Sequence, residues 1–273
     1  MIPSTDIPAR HWLGGDIDCT ACDHAALRMR PEPQGCQPGH ACMQDAYARR
    51  IDRFFRRHPG LANGHLAHPY FEVRAIAARH ADVFRLPALM ADDDETVRLQ
   101  VALRLPLTLL PRLAADPHRE VRLRVAQRLS PNLLSSLRDD PDYGVRELVA
   151  RRLPLALLPT MVGDPDAYVR KTLAQRLEMP ALLCLAHDPD EQVRRVVATR
   201  LPMGLLARMA DDADWRVRWE VAQRAEVAVL RGLQNDEDAQ VREAVRERLD
   251  ALRPDHGAGA PMARVLPWGA AHG

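Results

Sequence analysis

The chain has 273 residues, a formal net charge of +1, 47% hydrophobic residues and only 4% aromatic residues. The near-neutral total gives no overall attraction to nucleic acid or to an anionic membrane, and the hydrophobic content is ample for a packed interior. Leu, Ala and Val are abundant, which favours helices packed on helices over β-sheets. The composition therefore predicts an all-α protein.

The N-terminal stretch "MIPSTDIPARHWLGGDID" lacks the apolar centre of a signal peptide. No run elsewhere approaches the ~20 apolar residues that a membrane-spanning helix needs. We therefore expect a cytoplasmic protein that has no membrane partner. In a reducing compartment, clustered cysteines favour metal binding over disulfides.

Four of the five cysteines lie in one short segment, "CTACDHAALRMRPEPQGCQPGHAC", as Cys19, Cys22, Cys36 and Cys42. Two residues between the first pair let both thiolates face one ion or one cluster edge, and the glycines and prolines around the second pair supply turns. This pattern predicts tetrathiolate ligation, with disulfides or redox-active thiols without metal as alternatives. Spacing leaves zinc and iron–sulfur both open, because the second pair is wide for zinc and the common ferredoxin runs are absent.

Other side chains near these cysteines have supporting interpretations. His24 and His40 are interpreted as hydrogen-bond donors to a sulfur rather than as replacement ligands. Arg28 and Arg30 are placed to offset the negative charge of a tetrathiolate, although such residues more commonly form a solvated surface. Cys184 occupies a variable position far along the chain, and we predict no role for it.

Between the cysteines and the rest of the chain, "MQDAYARRIDRFFRRHPG" has the apolar spacing of an amphipathic helix. It is predicted to present Tyr47, Ile51, Phe54 and Phe55 to the structure that follows. This helix would join the cysteine segment to the remainder of the protein.

The dipeptide Val-Arg then recurs every 24 residues in eight copies, with its valine at Val73, Val97, Val121, Val145, Val169, Val193, Val217 and Val241. The copies share the pattern V-R-x-x-V-A-x-R-L-P-x-x-L-L-x-x-L-x-x-D-P-D-x-x, in which each position is numbered by its offset from the valine. Apolar residues at offsets 0, 4, 5 and 8 have helical spacing, whereas those at offsets 12, 13 and 16 lie in a shorter piece. Each copy is predicted to form an α-helix of about three turns followed by a short 3₁₀ or α segment, whose leucines pack beneath the longer helix.

An aspartate recurs at offset 19 in seven copies, and proline follows it in four. We interpret this aspartate as a helix N-cap and the proline as the first helical residue. Neither helix can bury its apolar face alone, so the copies are predicted to stack into a solenoid over residues 68–252. Arg246 replaces the small core alanine in the last copy and ends the stacking, and residues 253–273 are predicted to form a flexible tail.

Charged residues form ladders along the copies, with arginine at offsets 1 and 7 and aspartate at offsets 19 and 21. We predict capping bonds and ion pairs between repeats, and the alternative is that unpaired arginines bind phosphates or an acidic partner. Nucleic acid is the less favoured partner because no aromatic residue recurs at a fixed offset to stack bases. The sequence contains no recognisable catalytic set and no phosphate-binding glycine loop, so an enzyme is not predicted.

Over about residues 19–252, the cysteine quartet and the eight copies resemble the leucine-rich repeat variant family. The resemblance implies a right-handed solenoid of alternating α- and 3₁₀-helices behind a small domain that carries a [4Fe–4S] cluster. It divides the N-terminal part into an iron–sulfur domain, residues 1–44, and a connecting helix with a cap, residues 45–67. It also implies that the cluster ligands are Cys19, Cys22, Cys36 and Cys42, with zinc kept as the alternative cofactor.

We therefore expect a non-enzymatic iron–sulfur repeat protein. Its cluster would have a redox-sensing or structural role, and its solenoid would bind a protein partner. An electron carrier, a zinc-stapled binding module and a nucleic-acid-binding solenoid are the alternatives.

Overall fold

The computed structural model describes residues 7–31 and 33–253, and these contain ten α-helices joined by short 3₁₀ segments. The same residues include no extended strand, only isolated bridges between His11 and Asp45 and between Gln37 and Ala41. The predicted all-α class is confirmed. The chain forms two compact units, residues 1–178 and residues 179–273.

The first unit contains six α-helices: α1 Ala48–Arg57, α2 Phe71–His80, α3 Glu95–Arg104, α4 Arg119–Arg128, α5 Tyr143–Arg152 and α6 Ala167–Arg176. Its 3₁₀ segments are Ala25–Met29, Pro59–His65, Val83–Leu89, Leu110–Leu113, Pro131–Leu137 and Leu155–Met161. From α2 onward an α-helix and a 3₁₀ segment alternate every 24 residues, as the repeat pattern predicts.

The second unit continues the alternation with α7 Glu191–Arg200, α8 Trp215–Arg224, α9 Val227–Gly232 and α10 Ala239–Ala251. Its 3₁₀ segments are Ala181–Leu185, Met203–Met209 and Leu233–Asn235. In the copy that begins at Val217 the short piece is the α-helix α9 plus one 3₁₀ turn. The predicted flexible tail lies outside the described residues, apart from Arg253. No helix among the described residues combines the length and the apolar character that crossing a bilayer requires.

Each repeat buries one set of apolar side chains, and the copy that begins at Val121 is typical. Val121, Val125 and Ala126 of α4 are fully buried, as is Leu129 at the end of the helix. The following 3₁₀ segment buries residues at offsets 13 and 16, here Leu134 and Leu137. Stacked copies thus build the core from neighbouring turns, as a solenoid does.

One apolar position of the short segment was predicted wrongly. The leucine at offset 12 was expected to pack beneath the α-helix, but Leu133 is 49% exposed and Leu157 is 37% exposed. A 3₁₀-helix repeats every three residues, so offsets 13 and 16 lie on one side while offset 12 lies beside them, outside the core.

The predicted helix starts also need correction, because the α-helices begin later than expected. The N-cap is the residue at offset 21, and in six helices it is an aspartate that accepts a bond from a backbone N–H of the first turn: Asp94, Asp142, Asp166, Asp190, Asp214 and Asp238. The proline at offset 20 therefore precedes the helix. The carboxylate at offset 19 is bound to an arginine and to the N–H of the cap residue, as Asp164 is by Asp166.

That arginine is the one at offset 1, and it forms a ladder of ion pairs through both units. Arg146 donates from Nε to Asp164 at 2.8 Å, and from a terminal nitrogen to the backbone carbonyl of Asp140 in the preceding turn at 2.8 Å. In the first unit the pairs are Arg74–Asp92, Arg98–Asp116, Arg122–Asp140 and Arg146–Asp164, and in the second they are Arg194–Asp212 and Arg218–Asp236. The predicted pairing is thus correct, but its setting is not exposed: Arg98 is 8% and Asp116 is 6% exposed.

The arginine at offset 7 has a second structural task. Arg104 donates to the carbonyl of Ala78 at 2.6 Å, and Arg128 donates to the carbonyl of Ala102 at 2.7 Å. These carbonyls lie at the C-terminal end of the preceding α-helix, where unpaired acceptors and the negative end of the helix dipole favour a cation. The helices α2, α3, α4, α5 and α7 are capped in this way at their C-termini by the arginine of the next repeat.

We expect that replacing Arg146 by Ala destabilises the protein by roughly 3–5 kcal/mol, because the carboxylate of Asp164 stays buried without its cation. The matched control is Arg151→Ala, which removes an exposed i,i+4 partner of Glu147 and costs less than about 1 kcal/mol. Urea unfolding followed by circular dichroism measures both. Equal losses in the two variants would contradict a structural role for the ladder.

We also expect stability to fall on acidification. The guanidinium of Arg218 lowers the pKa of Asp236 below its ordinary value. A carboxylate with a lowered folded-state pKa contributes stability above about pH 4, and this contribution is lost as pH falls through the folded-state value. Between pH 6 and pH 3 the urea midpoint should drop less in Asp236→Asn than in the wild type, while the exposed Asp139→Asn should follow the wild type.

Candidate metal centre

The backbone around the cysteines is held by bonds that each involve a cysteine peptide group. The carbonyl of Cys22 accepts from Ala25 N–H at 2.9 Å and opens the first 3₁₀ segment, and Cys36 N–H donates to the Leu27 carbonyl of that segment at 3.3 Å. Cys42 N–H donates to the carbonyl of Arg50 in α1 at 3.2 Å. The turn after Cys22 and the approach to Cys36 are thereby tied together, and Cys42 is tied to the connecting helix.

The four thiols interact electrostatically with one another. Burial raises the pKa of Cys36, and the sulfurs of Cys22 and Cys19 raise it further. Burial raises the pKa of Cys42 to about 12, with further contributions from Cys22 and Cys36. All four are free thiols, three half-buried and Cys42 buried. Cys19 and Cys22 thus act on Cys36, and Cys22 and Cys36 act on Cys42.

Backbone N–H groups point at two of these sulfurs. His24 N–H donates to the Cys22 sulfur at 3.4 Å, and the N–H of Gln44 bonds to the thiol of Cys42 and opposes the rise of its pKa. Such bonds stabilise thiolates and are one of the levers that tune iron–sulfur centres. The predicted histidine–sulfur contact therefore comes from the backbone of His24.

The imidazole rings themselves contact other partners. His24 Nε2 lies 2.8 Å from His65 Nε2, and His40 Nδ1 lies 3.3 Å from the guanidinium of Arg57. Arg28 and Arg30 are both exposed, and the charge of Arg28 lowers the pKa of Cys36. Arg28 thus stands where it offsets negative charge on the sulfurs, as the sequence suggests. Cys184 is exposed in the second unit.

A buried ion pair that the sequence analysis missed holds this segment on α1. Arg50 and Asp45 are each almost fully buried, and their charged groups lie 3.1 Å apart. Arg50 also donates to the carbonyls of Pro8, at 3.2 Å, and Ile7, at 2.5 Å, so it fastens the chain that precedes the cysteines. The sequence signal that could have revealed this pair was the position of Arg50, which lies next to Ile51 on the apolar face of α1.

Aromatic side chains join the cysteine segment to the first repeat. Trp12 stacks on Tyr70 with ring centroids 5.5 Å apart, and its Nε1 donates to the side chain of Gln44 at 3.0 Å. Within α1, Ile51, Phe54 and Phe55 are buried as predicted, while Tyr47 is the half-buried N-cap residue. The cysteine segment therefore rests on α1 and on the start of the repeats.

The donor chemistry of this segment fits an iron–sulfur group. In the described ranges no three His, Cys, Asp or Glu side chains are grouped closely enough to hold a single metal ion. The segment does provide four thiols without disulfide partners, two N–H donors to sulfur and a nearby guanidinium. Iron–sulfur clusters are held by four cysteine thiolates and are tuned by hydrogen bonds of this kind.

Comparisons with known proteins agree with this geometry. Residues 9–64 match a family model described as LRV protein FeS4 cluster, and residues 143–166 match one described as leucine rich repeat variant. A solved structure described as a leucine-rich repeat variant with a novel repetitive structural motif is 39% identical to this chain. The match covers 89% of this chain and 100% of that one, with a TM-score of 0.79.

Two further matches are shorter or much less similar to this chain. An uncharacterized 27.7 kDa protein in the nifB 3' region of Rhodobacter capsulatus is 50% identical over 95 residues, which is 35% of this chain. The match spans only 38% of that relative's length. An engineered protein is 14% identical over 82% of this chain and 76% of its own, with a TM-score of 0.31, and no argument rests on it.

The approach to Cys36 requires glycine at position 35. A Cβ there would lie 2.5 Å from the carbonyl oxygen of Arg30, so the backbone of Gly35→Ala must shift. We expect this variant to be purified with less iron per chain than the wild type. The control is Gly60→Ala, where a Cβ meets nothing within 4 Å. Unchanged iron content in Gly35→Ala would contradict a site built at Cys36.

Proposed function

Because the chain belongs to the leucine-rich repeat variant family, we propose that it is a non-enzymatic protein that carries a [4Fe–4S] cluster. The ligands would be Cys19, Cys22, Cys36 and Cys42. The cluster would order the N-terminal segment and respond to redox state, and the repeats would bind a protein partner. The observation that carries this proposal is the match of residues 9–64, which contain all four cysteines, to the FeS4 family model.

The structural part of this role rests on how little apolar surface the segment buries. Among the described residues from 7 to 40 only Gly35 is buried, and Ala41, Cys42 and Met43 are the first buried hydrophobic residues. A segment with so small a core needs another source of stability, and metal–thiolate bonds supply it in small domains. Bound to the four thiolates, a cluster would also supply a centre that accepts or gives one electron.

The chain's own residues would prepare that site in three ways. The backbone N–H groups of His24 and Gln44 would donate to bound sulfur. Arg28 would reduce the net negative charge. Arg50 would keep the segment fixed on α1 in two ways. Its guanidinium pairs with Asp45, and its backbone carbonyl accepts the N–H of Cys42.

A protein partner on the repeats is supported by which side chains remain available. The arginines at offsets 1 and 7 are engaged within the structure in both units, for example Arg122 with Asp140 and Arg128 with the carbonyl of Ala102. Phosphate binding by these ladders, as nucleic acid would need, is therefore disfavoured. In the first unit, Leu133 and Leu155 lie in two of the 3₁₀ segments and are exposed, and exposed apolar side chains are available for protein contact.

Two alternative functions would use the same four thiols. An electron carrier shares the same cluster and differs only in passing its electron on, and a zinc-stapled module shares the four thiols. The name of the Rhodobacter capsulatus relative gives the position of its coding region and adds no activity.

The visible spectrum and the iron and sulfide content of protein purified without oxygen test the proposal. We expect a brown protein with about four irons and four sulfides per chain. Each of the variants Cys19→Ser, Cys22→Ser, Cys36→Ser and Cys42→Ser should lose most of the colour while the helical circular dichroism of the repeats persists. Cys184→Ser is the matched control and should keep the colour. A colourless wild type that contains zinc would overturn the iron–sulfur proposal.

A further inference from the structure

Three consecutive residues beside Cys36 form an exposed basic knuckle: Arg28, Met29 and Arg30. Met29 is 87% exposed although it ends a 3₁₀ segment, Ala25–Met29, whose next residue Arg30 is also exposed. No carboxylate among the described residues forms an ion pair with Arg28 or Arg30. The knuckle therefore presents two exposed guanidinium groups on either side of an uncovered thioether.

The knuckle is mounted on the segment that carries a proposed ligand. The carbonyl of Leu27 accepts both the N–H of Cys36, at 3.3 Å, and the N–H of Arg30, at 3.2 Å. Gly35 packs so closely on the carbonyl of Arg30 that any larger residue would collide with it. One hydrogen bond thus joins the backbone of the knuckle to the backbone of Cys36, and this gives a short path between the surface and the sulfur.

Positive charge extends from the knuckle onto α1. Arg57 donates to the carbonyl of Gly35 at 3.0 Å, immediately before Cys36. Burial lowers the pKa of His58 at the end of α1, and the charges of Arg30 and Arg57 lower it further. In the chain, the acidic residues Asp16, Asp18 and Asp23 flank the other cysteine pair, Cys19 and Cys22.

We propose that the Arg28–Arg30 knuckle docks the acidic face of a one-electron redox protein that exchanges electrons with the cluster. This inference rests on the proposed function. In the exchange the reduced partner loses one electron and the cluster gains it, and no bond forms or breaks. Opposite charges would steer the encounter, and Met29 would supply an adaptable apolar contact at its centre. The partner is identified by its chemistry, which is an acidic surface around an exposed redox group.

The test uses a reduced acidic [2Fe–2S] ferredoxin as the probe and follows electron transfer to the full-length, cluster-bearing protein by stopped flow. At low ionic strength, Arg28→Gln/Arg30→Gln should lower the second-order rate constant about tenfold and flatten its dependence on salt. Arg28→Lys/Arg30→Lys keeps the charges and should retain most of the rate. Arg112→Gln/Arg231→Gln removes two exposed arginines elsewhere and should leave the rate unchanged.

A second readout does not depend on electron transfer. The dissociation constant for the oxidised ferredoxin, measured by fluorescence anisotropy, should rise in the glutamine variant and not in the lysine variant. A rate constant and a dissociation constant equal to those of the wild type in Arg28→Gln/Arg30→Gln would overturn the docking site. Equally tight binding of a basic cytochrome c or of duplex DNA by the wild type would overturn the acidic-protein assignment.

Different outcomes would overturn the proposed function and the docking site. A wild-type protein that contains zinc and shows no iron–sulfur absorption would overturn the proposed function and the electron exchange together. A brown protein whose glutamine variant still binds and accepts electrons normally would overturn the knuckle alone.

Discussion

The constraint on which the N-terminal part of this protein depends is the protonation state of the buried Cys42 thiol. Burial and the nearby sulfurs of Cys22 and Cys36 raise its pKa to about 12, so without a metal it would stay protonated. Metal binding requires thiolates and releases their protons, and an iron–sulfur group would take up the charge that burial opposes. The N–H of Gln44 and the positive charge of Arg28 are arranged to stabilise sulfur in its anionic form. We propose that Cys42 couples folding of the segment to binding of the cofactor.

The repeats are held together by a different pair of charged residues, an arginine and an aspartate. Each copy is too short to bury itself, and its turn would expose an aspartate carboxylate and several carbonyls. An arginine such as Arg146 binds the carboxylate of Asp164 and the carbonyl of Asp140, and so it joins successive turns. The next arginine in the pattern caps the preceding helix. The charged ladders are therefore engaged in holding successive repeats together. For this reason the candidate partner surfaces are the exposed leucines and the basic knuckle.

Composition predicted the all-α class. Periodicity predicted the α/3₁₀ alternation and most of the core, because residues such as Val121 and Leu134 recur at positions that face the core. It misplaced the N-cap, since Asp140 and Asp142 both suit a helix start and only the arginine bond distinguishes them. It could not find the pair formed by Arg50 and Asp45, because that pair occurs once and no repeat points to it. The four cysteines are proposed as ligands from their type and spacing, and their placement in the fold depends on turns that no local pattern determines.

We propose above all that four thiols hold an inorganic cluster and that this cluster orders the N-terminal segment. Native mass spectrometry of protein purified without oxygen tests this proposal most directly, combined with hydrogen exchange of residues 7–58. We expect the mass of the chain plus four irons and four sulfides, and faster exchange in this segment, but not in the repeats, once the cluster is removed. A metal-free mass with the same slow exchange would contradict it.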